Sequence, residues 1–133
     1  MIESNFYKEL GKFLYAIAKA DGTVQQQEVE EIEKQILHKI KRLNHSKTHP
    51  EHIELLLTML SFENSNKEKL SAKEASLSFL TFIRKYGSNI PDYSKEIAFS
   101  LINLAAHAYH GISQEEEKLL HEIKDFLRLQ KHS

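Results

Sequence analysis

The run Ala-Lys-Ala-Asp-Gly-Thr-Val, residues 18–24, decides how this chain is organised. The residues before it form the apolar face of a helix, with Ser4 as its expected N-cap: Phe6, Leu10, Phe13, Leu14 and Ile17. Gly22 is expected to end that helix, because glycine enters the left-handed region without a Cβ clash. The helical spacing resumes after the turn, from Val29 to Leu43. The run therefore predicts a helix–turn–helix unit.

The rest of the chain carries similar helix signals, and no stretch has the alternating pattern of a strand. Helix starts are indicated by two prolines and two capping-box pairs, namely Pro50, Pro91, Ser71–Glu74 and Ser113–Glu116. Gly87 and Gly111 are placed to end helices, and the polar stretches 44–49 and 63–69 predict loops. We therefore predict an all-α fold, a compact bundle of about six helices forming one domain over residues 1–133.

The first unit has a counterpart near the end of the chain. A shift of 88 residues (106 − 18) places residues 18–20 on 106–108, and it pairs Val24 with Ile112 and Glu28 with Glu116. The two glycines, Gly22 and Gly111, are offset by one position. The match predicts an internal helix–turn–helix duplication with related units at about 5–43 and 93–130. The first helices of the two units are then expected to pack together at the centre, where their alanines permit close approach.

The residues of this turn resemble the TerB-like family, named for tellurite-resistance proteins. Its members carry an Ala-x-Ala/Ser-Asp-Gly helix end, an aliphatic residue and a Glu opening the next helix, often twice in one domain. The first unit matches through Asp21, Gly22, Val24 and Glu28. In the second unit Tyr-His-Gly-Ile, residues 109–112, replaces the Asp-Gly form. The resemblance covers the whole chain in layout and rests on about ten positions.

The resemblance implies a non-catalytic module linked to stress or tellurite resistance. It implies a divalent cation held by acidic residues, or a role in joining membrane-associated and metal-resistance assemblies. Carried over residue by residue, it assigns Asp21 and Glu28 as metal ligands in the first unit. In the second unit it assigns Glu116 and Glu117, with His110 as a substituted donor. Gly22 and Gly111 are then the structural turns.

A purely structural role for the same residues is the alternative. Asp21 can bond backbone groups of its own turn, and Glu28 and Glu116 can interact with free N–H groups at helix starts. An EF-hand is excluded, because Ile17 and Lys19 would occupy the first and third ligand positions of that loop. Hard cations usually take six or more oxygen ligands, so one carboxylate pair predicts weak binding.

Two further patterns point away from the turn. The chain has eight histidines, and five of them are grouped: His45, His49 and His52 around the second loop, His107 and His110 one turn apart. We interpret these as surface residues and not as a zinc site, which needs three or four ligands at defined geometry. Leu55, Leu56 and Leu57 cannot all face one core stripe. They motivate the alternative function, a protein–protein interaction scaffold with no metal.

Composition excludes several classes of function. There is no cysteine, so disulfides and thiolate chemistry are absent. A formal net charge of -1 argues against nucleic-acid binding, since the basic groups near Arg42 and Arg84 lie at helix ends, where cations are expected anyway. The sequence has no nucleophile elbow, HExxH, P-loop or dinucleotide motif, so we expect no enzyme activity. Without a leader or a long apolar run, a cytoplasmic protein not integral to a membrane is expected. The oligomeric state stays open.

Overall fold

The computed structural model describes residues 2–19, 30–31, 33–35, 38, 51–108 and 114–129. Its five α-helices are α1 (Ile2–Lys19), α2 (Glu51–Glu68), α3 (Ala72–Tyr86), α4 (Asp92–Ala108) and α5 (Gln114–Leu129). A 3₁₀ turn, Gly87–Asn89, joins α3 to α4. The described residues between 30 and 38 are helical too, where a second helix was predicted. No strand occurs in these ranges, and the all-α prediction is confirmed.

Helix α1 lies at the centre of the described structure. All five apolar residues predicted to face the core are buried, which confirms that face. Tyr7, Tyr15, Ala16 and Ala18 are buried as well, so the second half of α1 is enclosed on every side. The helix packs mainly against α2 and α3, and less extensively against α4. The expected pairing of α1 with α4 is therefore present, but α2 and α3 cover more of α1. Ser4 lies inside α1, which begins at Ile2, so it is not the N-cap.

The crossing of α1 and α2 is unusually close because Gly11 has no side chain. A Cβ on Gly11 would overlap the carbonyl oxygen of Thr58 and would come within 2.7 Å of the Ser61 Cβ. Two hydroxyls of α2 donate to α1 carbonyls here, Thr58 Oγ1 to Tyr7 O at 3.1 Å and Ser61 Oγ to Lys8 O at 2.6 Å. The two helices are thus joined by backbone proximity and hydroxyl hydrogen bonds.

Aromatic side chains fill the space between α1 and α3. Phe13 stacks on Phe79 with ring centroids 5.2 Å apart, and Phe6 meets the same ring at 5.8 Å. Tyr15 lies edge-on to Phe62 and donates its hydroxyl hydrogen to Leu70 O at 2.7 Å, between α2 and α3. Such ring pairs contribute about 0.5–1.5 kcal/mol beyond the area they bury. These contacts fix α2 and α3 on neighbouring sides of α1.

The predicted loop over residues 63–69 is wrong, because α2 continues to Glu68. Ser65, although polar, is buried on the same side of α2 as Phe62, so the polar composition does not mark solvent exposure. The helix ends where Lys69 takes a positive φ of 56° and Leu70 N–H bonds to Ser65 O at 3.3 Å. This is the bonding pattern of a Schellman C-cap, with lysine where glycine is usual.

The starts of α3 and α4 follow the sequence signals. Ser71 is the N-cap of α3, and its Oγ accepts from the Glu74 backbone N–H at 3.0 Å, as predicted. Pro91 precedes α4, and its carbonyl accepts from the N–H groups of Ser94 and Lys95. Gly87 follows α3 in a right-handed conformation, and its missing Cβ makes room for the ring of a residue on α5, Phe126.

Two side-chain links tie the remaining helices to this frame. Tyr7 of α1 donates its hydroxyl hydrogen to Ser94 Oγ of α4 at 2.9 Å, in the buried interior. Arg84 of α3 pairs with Glu122 of α5 on the surface. The buried apolar residues of all five helices form one continuous cluster. The single domain over residues 1–133 and the internal duplication stay predictions.

Candidate functional site

Most residues of the predicted metal site lie outside the described ranges. These are Asp21, Gly22 and Glu28 of the first unit and His110 and Gly111 of the second. Glu116 belongs to the first turn of α5, and Glu117 is exposed on the same helix. The described residues contain no group of three or more His, Asp or Glu that could hold a metal ion. The assignment of Asp21 and Glu28 as ligands therefore stays a prediction.

The histidine groups are also only partly described. His45 and His49 fall outside the described residues, while His52 belongs to α2 and His107 to α4. Of the other histidines, His38 and His121 are exposed.

The outer side of α2 carries two exposed leucines, Leu56 and Leu60, which we call the leucine ridge. Their exposed fractions are 36% and 56%, and the spacing of four residues places them one turn apart on one face. Leu57, the other member of the leucine triplet whose side chain is described, is half-buried. Leucine side chains are usually among the most buried, so two neighbouring exposed ones form a distinctive surface.

Carboxylates border the leucine ridge on one side. Glu63 follows Leu60 by three residues and Leu56 by seven, so all three lie on one side of α2. The carboxyl of Glu63 shares a hydrogen bond with that of Glu33, on the helical segment before α2. Glu30 is close enough to act on Glu33 electrostatically. We call Glu30, Glu33 and Glu63 the acidic border.

The acidic border perturbs the ionisation of one of its members. Burial raises the pKa of the Glu33 carboxyl, and the Glu63 carboxylate and hydrogen bond raise it further, with a smaller contribution from Glu30. A positive charge placed here would relieve the repulsion that raises this pKa.

The first turn of α4 contains a buried lysine that the sequence did not single out. Lys95 is only 4% exposed, and burial lowers its pKa, while the nearby Asp92 carboxylate acts in the opposite direction. The position of Lys95 in the helical repeat indicates its burial, because Lys95, Ala98 and Ile102 share the buried stripe of α4. A lysine inside an apolar stripe is a signal that sequence inspection can use.

Sequence reasoning could also have found the ridge with its border. Continuing the α2 pattern beyond Phe62 would have placed Glu63 beside Leu56 and Leu60. The proximity of Glu33 to Glu63 carries no sequence signal, because it depends on how two separate helical segments pack. None of the described helices is long and apolar enough to span a bilayer. Comparison of the chain with family models, curated proteins and solved structures finds no match.

Proposed function

We propose that this protein is a non-catalytic helical module that binds another protein through the leucine ridge of α2. The observation that carries the proposal is the exposure of Leu56 and Leu60 side by side on one helix face. Burying a leucine side chain contributes about 1.5–3 kcal/mol, so two adjacent leucines offer a partner a substantial gain. The ridge belongs to a helix held firmly to α1 at Gly11, which gives the partner a fixed surface.

Site-directed photo-crosslinking in cells that express the protein tests this function. A photo-reactive amino acid replaces Leu60, and a matched control carries it at Thr81, an exposed position on α3. We expect a discrete protein adduct from position 60 that is lost with Leu56→Ser and absent from position 81. Equal labelling at both positions, or no adduct at position 60, contradicts the proposal. An adduct of twice the chain mass identifies the partner as a second copy.

The second candidate function is divalent-cation binding at the turn that contains Asp21 and Glu28. It is favoured by the TerB-like pattern of residues 18–28 and by the helical state of the chain on both sides, up to Lys19 and again from Glu30. In this candidate the link to stress or tellurite resistance follows from the resemblance.

Calorimetric titration with calcium, manganese and zinc tests the cation candidate. Saturable heat that disappears in the Asp21→Ala, Glu28→Ala double variant supports it. A Glu117→Ala variant is titrated in the same way. If its heat equals that of the parent protein, Glu117 of the second unit does not take part in binding. Heat that the double variant retains, or no saturable heat with any of the three metals, contradicts the candidate.

A further inference from the structure

We infer that the partner of the leucine ridge is a cationic amphipathic helix, whose apolar stripe covers Leu56 and Leu60 while its Lys or Arg side chains meet the acidic border. The inference rests on the proposed docking function and specifies the chemistry of the partner. A helix suits the ridge because side chains four residues apart pack into the grooves between the turns of another helix.

The charges around the leucine ridge indicate which sign of charge the partner carries. Three carboxylates form the acidic border, while Glu31, on the same segment as Glu30 and Glu33, accepts a hydrogen bond from Gln35 at 3.0 Å. The described cations on the same two segments are Lys34 and Lys67, both exposed, and His38 is also exposed. On α1, Lys8 is exposed and Lys12 forms an ion pair with Glu9. Among the described residues, Glu33 and Glu63 therefore bring two carboxyl groups together beside the ridge with no cation paired to either.

The Glu33–Glu63 contact supplies a specific consequence for binding. Because burial and the neighbouring carboxylates raise the Glu33 pKa, a Lys or Arg of the partner would lower it again and favour loss of the proton. Binding should then release protons at mildly acid pH, and affinity should rise as pH increases. A partner that used only apolar contacts would not couple to this carboxyl pair.

Two synthetic helical peptides test the inference. Both carry the same leucine stripe, and the residues beside it are lysines in one peptide and glutamates in the other. We expect the lysine peptide to bind more tightly, and its binding to weaken about threefold with Glu63→Gln, the loss of one partly exposed charge pair. Leu60→Gln should weaken it about tenfold. Asp125→Asn on α5, which packs against α3 and α4, is the matched charge control and should leave the binding of both peptides unchanged.

Proton release provides the second readout. Calorimetry in buffers of different ionisation enthalpy is carried out at mildly acid and at neutral pH, with His38→Gln as the background because His38 lies on the same helical segment as Glu33. We expect proton release that disappears in Glu33→Gln. Higher ionic strength should weaken the lysine peptide only, because it screens opposite charges.

The outcomes separate this inference from the proposed function. Equal binding of the two peptides, tighter binding of the glutamate peptide, or no binding of either overturns the cationic partner. An adduct from position 60 that is lost with Leu56→Ser in the crosslinking experiment still supports docking in each of these cases. Loss of that adduct together with peptide binding insensitive to Leu60→Gln overturns both.

Discussion

The two faces of α2 depart from the usual distribution of polar and apolar residues. The inner face, against α1, buries two hydroxyl residues, Thr58 and Ser65, on either side of Phe62. The outer face exposes Leu56 and Leu60. A surface helix normally turns its apolar stripe to the core and its polar residues to water.

Helix spacing, and not apolarity alone, therefore decides which side chains of α2 are buried. At Gly11 the backbones of α1 and α2 come so close that small side chains fit the inner face. The Thr58 hydroxyl stays satisfied there because the Tyr7 carbonyl accepts its hydrogen bond. The outer leucines are not needed for this packing, which is why we assign them to contacts with a partner.

Closing the space at Gly11 gives the largest expected effect. Gly11→Ala places a Cβ against Thr58 O and Ser61 Cβ, and backbone atoms cannot move aside independently. Overpacking costs about 3 kcal/mol in such a place, and the better helix propensity of alanine returns about 1 kcal/mol. We therefore expect unfolding in urea to show a loss of about 2 kcal/mol. Asn5→Ala, exposed on α1, is the control and should not destabilise the protein. A Gly11→Ala variant as stable as the parent would show that the crossing is wider.

Removing the α2 hydroxyls that bond to α1 should give the second largest loss of stability. Thr58→Val keeps the shape of the side chain but leaves the buried Tyr7 carbonyl without this donor, and we expect a loss of about 1 kcal/mol. Ser61→Ala removes the corresponding hydrogen bond to Lys8 O, at an exposed position where water can replace the hydroxyl. Its cost in stability should therefore be below about 0.5 kcal/mol. Denaturant midpoints of the two variants measure the difference. Equal midpoints would mean that burial adds nothing to the Thr58 hydrogen bond.

The outer face should respond in the opposite manner, with a change in binding but little in stability. Leu60→Gln keeps helix propensity and removes apolar surface that is already largely exposed, so stability should change by less than about 0.5 kcal/mol. The thermal midpoint checks the stability, and the lysine peptide checks the binding. A large loss of stability would assign Leu60 to the core of the fold and remove the reason for proposing a docking surface.

The sequence was sufficient where the signal is local. The apolar stripe of α1 follows from its helical spacing, and all of its five predicted members are buried. The cap at Ser71 and the start of α4 after Pro91 depend on residues within one turn. Each of these features is decided by chemistry between near neighbours, which a single sequence contains.

The features that the sequence did not predict depend on contacts between distant segments. The need for glycine at position 11 cannot be predicted from α1 alone, because it arises from the close approach of α2. The C-terminal turns of α2 read as a loop because Ser65 is polar, and because Lys69 takes the positive φ that glycine would have signalled. The acidic border required Glu33 and Glu63, 30 positions apart (63 − 33), to meet.

The acidic border beside the leucine ridge gives the smallest expected change in stability and the clearest dependence of stability on pH. Because the folded-state pKa of Glu33 is raised, the native protein binds this proton more tightly than the unfolded chain does. Stability from this group is complete below the unfolded pKa and is lost as the pH rises through the folded one. Glu33→Gln imitates the protonated form, so it should stabilise the protein at neutral pH by about 0.3 kcal/mol, with the gain vanishing in acid. Urea midpoints measured across this pH range provide the check. The control Glu117→Gln removes a carboxylate near a helix start and should have the opposite sign at neutral pH. A Glu33→Gln gain that is the same in acid as at neutral pH would separate Glu33 from Glu63, and with it the acidic border from the leucine ridge.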